Sequence, residues 1–194
     1  MAPPIVVTGG SGRIGRFVVA DLLAAGHAVK VVDVTAPTAD VPFEKADVLD
    51  LPALQRAFAG AERVIHLAAH DWIAKVPGPE FIRVNVVGTW NVLQAAEEAG
   101  VKKIAVASSI SATGIEELRA DWKPLYLPID EAHPIRPVEP YSVSKEMVEA
   151  AALSFARRGR MSVACLRPMG VAVPGSLERF VKLAADKAKP WFNA

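Results

Sequence analysis

Between an apolar run and a helical one, the chain carries Thr8-Gly9-Gly10-Ser11-Gly12-Arg13-Ile14-Gly15. No other segment limits the fold as tightly. Gly10, Gly12 and Gly15 fit the spacing G-x-G-x-x-G, and Gly9, Gly12 and Gly15 also fit G-x-x-G-x-x-G. Residues without a β-carbon let the backbone turn sharply and let another group approach it closely. Upstream, Pro4-Ile5-Val6-Val7-Thr8 reads as a short buried strand. Downstream, residues 16–25 carry helical spacing through Phe17, Val18, Leu22 and Leu23, with Gly26 as a stop.

The same alternation continues along the chain. Further strands are expected over residues 28–34, 43–46, 63–67, 103–107 and 161–166. Asp50 is placed to cap a short helix running through Leu54 and Phe58 towards Gly60. Two long helices are expected, from Glu80 to Ala99 and from Tyr141 to Arg158. Strands separated by helices of this length imply right-handed crossovers and a parallel sheet covered on both faces. The expected fold class is therefore α/β, a doubly wound parallel-sheet Rossmann fold. Its 194 residues, 52% of them hydrophobic, suffice for one domain with a sizeable core. The segment from Gly114 to Pro140 is rich in proline and charge. It reads equally well as a substrate-contacting loop near the ligand crevice or as a solvated connection.

A net charge of +1 gives no electrostatic case for nucleic acid or for a membrane surface. No apolar run is long enough to span a bilayer, and the N-terminus lacks the layout of a signal peptide. A cytoplasmic location is the resulting expectation. Cys165, the single cysteine, excludes an intramolecular disulfide and reads as a buried, inert thiol. No metal site is expected.

In a strand–turn–helix context, the helix start offers free amides and a positive dipole end to phosphates. Asp33 ends the second strand, 18 residues after Gly15. An acid there accepts hydrogen bonds from a ribose hydroxyl and repels a 2′-phosphate, which favours NAD over NADP as cofactor. Without a ligand, the glycines would only shape the turn and Asp33 would be a solvated strand-end acid. Tyr141-Ser142-Val143-Ser144-Lys145 places Tyr141 and Lys145 four residues apart, on one face of a helix. A phenol, with pKa near ~10, is a poor base at neutral pH, and a neighbouring ammonium favours its phenolate. The pair suits proton transfer to or from an alcohol or ketone. Beside a dinucleotide site, that suggests hydride chemistry.

With these motifs in order, the chain resembles the extended short-chain dehydrogenase/reductase family, the NAD-dependent epimerase/dehydratase group. The likeness runs from Ile5 to about Gly175 and rests on an ordered series. That series comprises Thr8 to Gly15, Asp47-Val48-Leu49-Asp50, His66-Leu67-Ala68-Ala69, Asn85-Val86-Val87-Gly88-Thr89, Ser108-Ser109, Tyr141 to Lys145, and Leu166-Arg167-Pro168. The resemblance implies an NAD-binding domain over residues 1–175. Gly9, Gly12, Arg13, Ile14 and Gly15 would hold the phosphates and Asp33 the ribose. Asp47 and Val48 would contact adenine, and Leu67, Ala68 and Ala69 would line the nucleotide. Asn85 would help order the site, and Pro168 would sit against the nicotinamide end. Ser109 would bond the reacting oxygen, Tyr141 would move the proton, and Lys145 would bind the nicotinamide ribose and lower the pKa of Tyr141. Among the neighbouring hydroxyl residues, Ser111 is the alternative to Ser109.

The implied reaction is NAD-dependent oxidation or epimerisation at a secondary alcohol of a sugar or sugar acid, with uronate and hexose dehydrogenases and related epimerases as the nearest likeness. The two long helices would pair in a homodimer. The alternative is a non-catalytic NAD-binding module. Two departures stand out. Gly170 occupies the place of an asparagine that family members aim at a nucleotide-sugar, which weakens the case for such a substrate. The carboxyl-terminal substrate domain is short or missing, residues 176–194 being a remnant or the start of one. A helix is expected from Leu177 to Ala188, followed by Trp191 and Phe192.

Overall fold

The computed structural model describes residues 3–117, 119–173 and 178. Six strands form one sheet: β1 (Ile5–Thr8), β2 (Val29–Asp33), β3 (Phe43–Lys45), β4 (Arg63–His66), β5 (Lys103–Ala107) and β6 (Ser162–Leu166). Their order is β3-β2-β1-β4-β5-β6, and every pairing is parallel. The register aligns Thr8 with Val32 on one side and His66 on the other. Each strand lies within one residue of its expected bounds at either end.

Side-chain alternation divides the core between the two faces of the sheet. Val6, Val64, Ile104 and Val106 pack with Leu54, Phe58, Leu93 and Phe155. Ile5, Val7 and Val31 pack on the opposite face with Val19 of α1 (Gly15–Ala24). On the first face lie α2 (Leu51–Ala57), α4 (Gly88–Glu98) and α5 (Pro140–Arg157). Asp50 caps α2, its Oδ1 accepting the Ala53 amide at 3.0 Å. The first expected long helix begins two residues early, as α3 (Gly78–Phe81), and passes through a π-helical segment, Ile82–Val87, before continuing as α4. The helix expected over residues 177–188, with Trp191 and Phe192, lies outside the described residues.

The proline-rich connection between β5 and α5 is organised around two buried rings. Trp122 is 3% exposed and donates its indole N–H to the Thr113 carbonyl at 3.0 Å. His133, 2% exposed, accepts the Leu125 amide on Nε2 at 3.0 Å. The Arg136 guanidinium lies 4.7 Å above the Trp122 ring. Glu117 Oε1 accepts the Val138 and Glu139 amides at 2.9 Å each, immediately before α5. The loop is thus pinned at Trp122 and His133, while most of residues 121–140 are exposed, as expected of a solvated connection.

Candidate functional site

The topological reversal falls between β1 and β4, where α/β sheets of this kind open a crevice beyond the strands' carboxyl ends. Every residue singled out in the sequence follows one of those ends or lies on a helix packed beside it.

The glycine turn crosses the mouth of this crevice. Gly9 has φ of 71°, and a β-carbon there would sit 2.5 Å from the Ala68 amide nitrogen. A β-carbon on Gly15 would strike the Gly9 carbonyl oxygen. These two glycines thus let the turn nest against the end of β4 and the start of α1. Gly12 differs: it is exposed, and its β-carbon would meet only the Gly9 carbonyl, at 3.2 Å. Among the described residues, the Arg13, Ile14 and Gly15 amides have no backbone acceptor. Unpaired donors at a helix start, with an open approach over Gly12, fit a pyrophosphate. Asp33 closes one side: Oδ2 accepts the Ser11 amide at 3.0 Å and Oδ1 the Thr35 amide at 3.1 Å. Arg13 pairs with Asp71 at 3.3 Å, linking the turn to the loop after β4.

Asp47 is exposed and shapes a turn by accepting the Leu49 amide at 2.9 Å. Val48 is buried against α4, where a β-carbon on Gly88 would come within 2.5 Å of Val48 Cγ2. Leu67 and Ala68 are partly buried beneath the glycine turn, and Ala69 is exposed. Asn85, from the π segment, is 1% exposed. Its Oδ1 accepts the His70 amide at 2.8 Å, and Nδ2 donates to the His70 carbonyl and to Ser144 Oγ, each at 3.0 Å. Asn85 therefore ties the loop after β4 to α5. Pro168 is exposed after β6, with its carbonyl accepting the Ile110 amide at 3.3 Å.

Ser109, Tyr141 and Lys145 come together at the end of β5. The Ser109 hydroxyl lies beside the Tyr141 phenol and favours its ionised form. Lys145 is 4% exposed, donates to the Ala107 carbonyl at 2.8 Å, and holds Nζ 5.8 Å from the Tyr141 ring centre. Burial lowers the Lys145 pKa to about 8. The expected lowering of the Tyr141 pKa does not emerge: burial is the largest influence and pushes the phenol up. Ser109 and Arg13 oppose that rise, whereas Asp71 and Glu116 add to it. The other serines are engaged elsewhere. Ser108 donates to Glu149 at 2.6 Å, beside the paired Arg167, and Ser111 donates to Glu116 at 2.5 Å. Burial raises the Cys165 thiol to about 11, which keeps it protonated at neutral pH.

Sequence reasoning missed three contributors. His66 is buried between Thr8 Oγ1, 2.6 Å from Nδ1, and Thr89 Oγ1, 2.9 Å from Nε2, so it joins β1 to α4. Both threonines and the histidine lie in motifs quoted above; only their partnership was hidden. Asp71 and Glu116 carry no local spacing signal and are found only through their neighbours in space.

A profile of the NAD dependent epimerase/dehydratase family matches residues 5–190. UDP-glucose 4-epimerase of Bos taurus is 35% identical over 173 residues, covering 77% of this chain and 47% of that protein. A short-chain dehydrogenase/reductase superfamily protein of Agrobacterium tumefaciens, solved with bound NAD, is 34% identical with a TM-score of 0.75. That match covers 84% of this chain and 48% of the other. MoeE5, solved with UDP-glucuronic acid and NAD, is 32% identical with a TM-score of 0.73, over 84% of this chain and 54% of its own. The chain spans about half the length of these proteins.

Proposed function

Because the chain belongs to the NAD-dependent epimerase/dehydratase family, we propose that it serves as an NAD-dependent oxidoreductase or epimerase acting on a secondary alcohol of a sugar or sugar acid. The observation that carries this reading is the Ser109–Tyr141–Lys145 cluster at the crevice beyond the glycine turn.

The Arg13, Ile14 and Gly15 amides would hold the pyrophosphate, Asp33 the adenine-side ribose, and Lys145 the nicotinamide ribose. When bound, the nicotinamide supplies hydride acceptance and return. The chain's own residues handle the proton and the oxygen. Ser109 holds the substrate hydroxyl and stabilises charge developing on its oxygen. Tyr141 takes the hydroxyl proton as phenolate, or returns it as phenol. Lys145 lies 5.8 Å from the ring centre, where it would hold the nicotinamide ribose rather than lower the pKa of the phenol. Phe81 meets Tyr141 edge-on at 5.8 Å and keeps water from that side of the ring.

Relatives with nucleotide-linked sugars point to a hexose or hexuronate framework, and Gly170 favours the free sugar over its nucleotide-linked form. The proposed setting is cytoplasmic; among the described residues no helix is long and apolar enough to cross a membrane. The proposed partner is a second copy of the chain. The test follows NADH absorbance with uronic acids, aldoses and UDP-sugars, beside Tyr141→Phe. Removing the phenol hydroxyl is expected to cut the rate about 10²–10⁴-fold. An unchanged rate would refute its role, and NAD binding without turnover on any substrate would identify a nucleotide-holding module instead.

A further inference from the structure

One peptide unit carries the anchor of Lys145. Its carbonyl, from Ala107, accepts the Lys145 ammonium at 2.8 Å, and its N–H, from Ser108, donates to the Leu166 carbonyl at 2.9 Å. A peptide is planar, so the bond on one side sets the direction of the other. Glu149 lies one turn beyond Lys145 on the same face of α5. It grips the residues directly after Ala107 and Leu166. Its Oε1 accepts the Ser108 hydroxyl at 2.6 Å and Arg167 Nε at 2.8 Å, and its Oε2 accepts Arg167 Nη2 at 2.7 Å. We propose that Glu149 is a positioning residue for Lys145: by clamping Ser108 and Arg167 at the ends of β5 and β6, it fixes the Ala107 carbonyl that holds the Lys145 ammonium.

This inference rests on the reading of Lys145 as the group that holds the nicotinamide ribose. β5 and β6 end side by side, with Ala107 aligned to Leu166, so Ser108 and Arg167 are the first residues past the ladder. There the chain needs a hold from outside the sheet, and α5 supplies it. A guanidinium bound through two nitrogens is fixed in direction as well as distance. Sharing Oε1 ties the serine to the same point. The two charged side chains are 15% and 21% exposed, so water competes little with them. Burial pushes the Glu149 carboxyl up, but Arg167, Ser108 and Lys145 outweigh it and hold it below its ordinary value. It is therefore an ionised acceptor at neutral pH.

The titratable and charged groups around Lys145 are His66 on β4, Asp71 in the loop after β4, Cys165 and Arg167 on β6 and just past it, and Tyr141 and Glu149 on α5. With pKa values of about 3 and about 11, His66 and Cys165 keep one state between about pH 6 and pH 9. Burial lowers Lys145 to about 8, against the opposing pull of Cys165, Asp71 and Glu149. Glu149 touches no reacting atom; it acts through Lys145.

Carbon NMR of the lysine Cε positions reads the Lys145 midpoint in the free chain, its signal being the one that Lys145→Arg removes. The native midpoint is expected at about 8. Glu149→Gln removes the carboxylate that favours the ammonium, so the proton should leave at lower pH. The midpoint is expected to fall by about one pH unit, and NAD is expected to bind about tenfold more weakly at neutral pH. An unmoved midpoint would overturn the proposal. Glu149→Gln with Arg167→Gln removes both charges together. The midpoint is expected to stay lowered, because the clamp is gone; a return to the native value would reduce Glu149 to a charge acting at a distance and would also overturn it. If Glu149→Gln fails to fold, Glu149→Asp keeps the charge but withdraws it from Ser108 and Arg167. It is expected to lower the midpoint by about half a unit, and no change would count against the clamp in the same way. Lys145→Ala tests the underlying reading separately, since it is expected to abolish the loss of NAD affinity above about pH 8. A loss that survives would mean that Lys145 does not hold the ribose, while the midpoint in the free chain would still decide whether Glu149 positions it.

Discussion

Asp33 uses one lone pair on each carboxylate oxygen to accept the Ser11 and Thr35 amides. The remaining lone pairs suit ribose hydroxyls. Asp33→Ala is expected to weaken NAD binding about 10- to 100-fold, the worth of hydrogen bonds to a charged acceptor. It should also relax discrimination against NADP. Titration calorimetry with both nucleotides checks this, and native binding that is tighter for NADP would contradict it. His66 carries a separate consequence for acid stability. Burial, then the Lys145 charge, lowers its pKa from 6.5 to about 3. Between those values the unfolded chain binds a proton that the folded chain refuses, so stability falls as pH drops. From pH 6.5 to pH 5, His66 alone should remove about 2 kcal/mol, at about 1.4 kcal/mol per unit. Urea unfolding at the two pH values is expected to show that loss in the native chain and much less of it in His66→Gln.

At the scale of elements, Gly88 and Val48 form a pair that a sequence motif alone does not explain. Val48 Cγ2 occupies the space a β-carbon on Gly88 would need. Gly88→Ala is expected to destabilise the fold by about 1–3 kcal/mol through overcrowding, and adding Val48→Ala is expected to recover most of that. Denaturant titration of the two single variants and the double variant measures the coupling. The strands were legible because a parallel sheet buried on both faces demands continuous apolar runs such as Ile5-Val6-Val7, and glycines mark their ends. The cap at Asp50 was legible because its chemistry is local. The π segment was not, since Val84 and Val87 also satisfy ordinary helical spacing. The loop before α5 hid its order for another reason. Trp122 and His133 are held by the Thr113 carbonyl and the Leu125 amide, and neither pairing follows from residue spacing. In the site, Tyr141 and Lys145 could be read from one helix face, but the charges of Glu116 and Asp71 act on the phenol only after distant segments have come together.

At the scale of the whole molecule, Val87 and Trp90 lie 48% and 41% exposed on one helix, and Met147 and Leu153 lie 40% and 50% exposed on α5. Trp90 meets Phe155 edge-on at 5.2 Å, so the two helices offer one joined apolar face. The proposed homodimer would bury it. Light scattering is expected to give twice the chain mass, and Leu153→Glu is expected to give a monomer; a native monomer would overturn the dimer. The π segment bears on this same face. One residue advances a helix by roughly 100°, so an inserted residue acts as a phase shift. On one side of it Phe81 lies against Tyr141, and on the other Val92, Leu93, Ala95 and Ala96 are buried while Trp90 looks outward. A regular helix could not keep both alignments. The wide turn around Asn85 thus lets one continuous rod meet the Tyr141 ring at its head and present its exposed apolar side along its shaft.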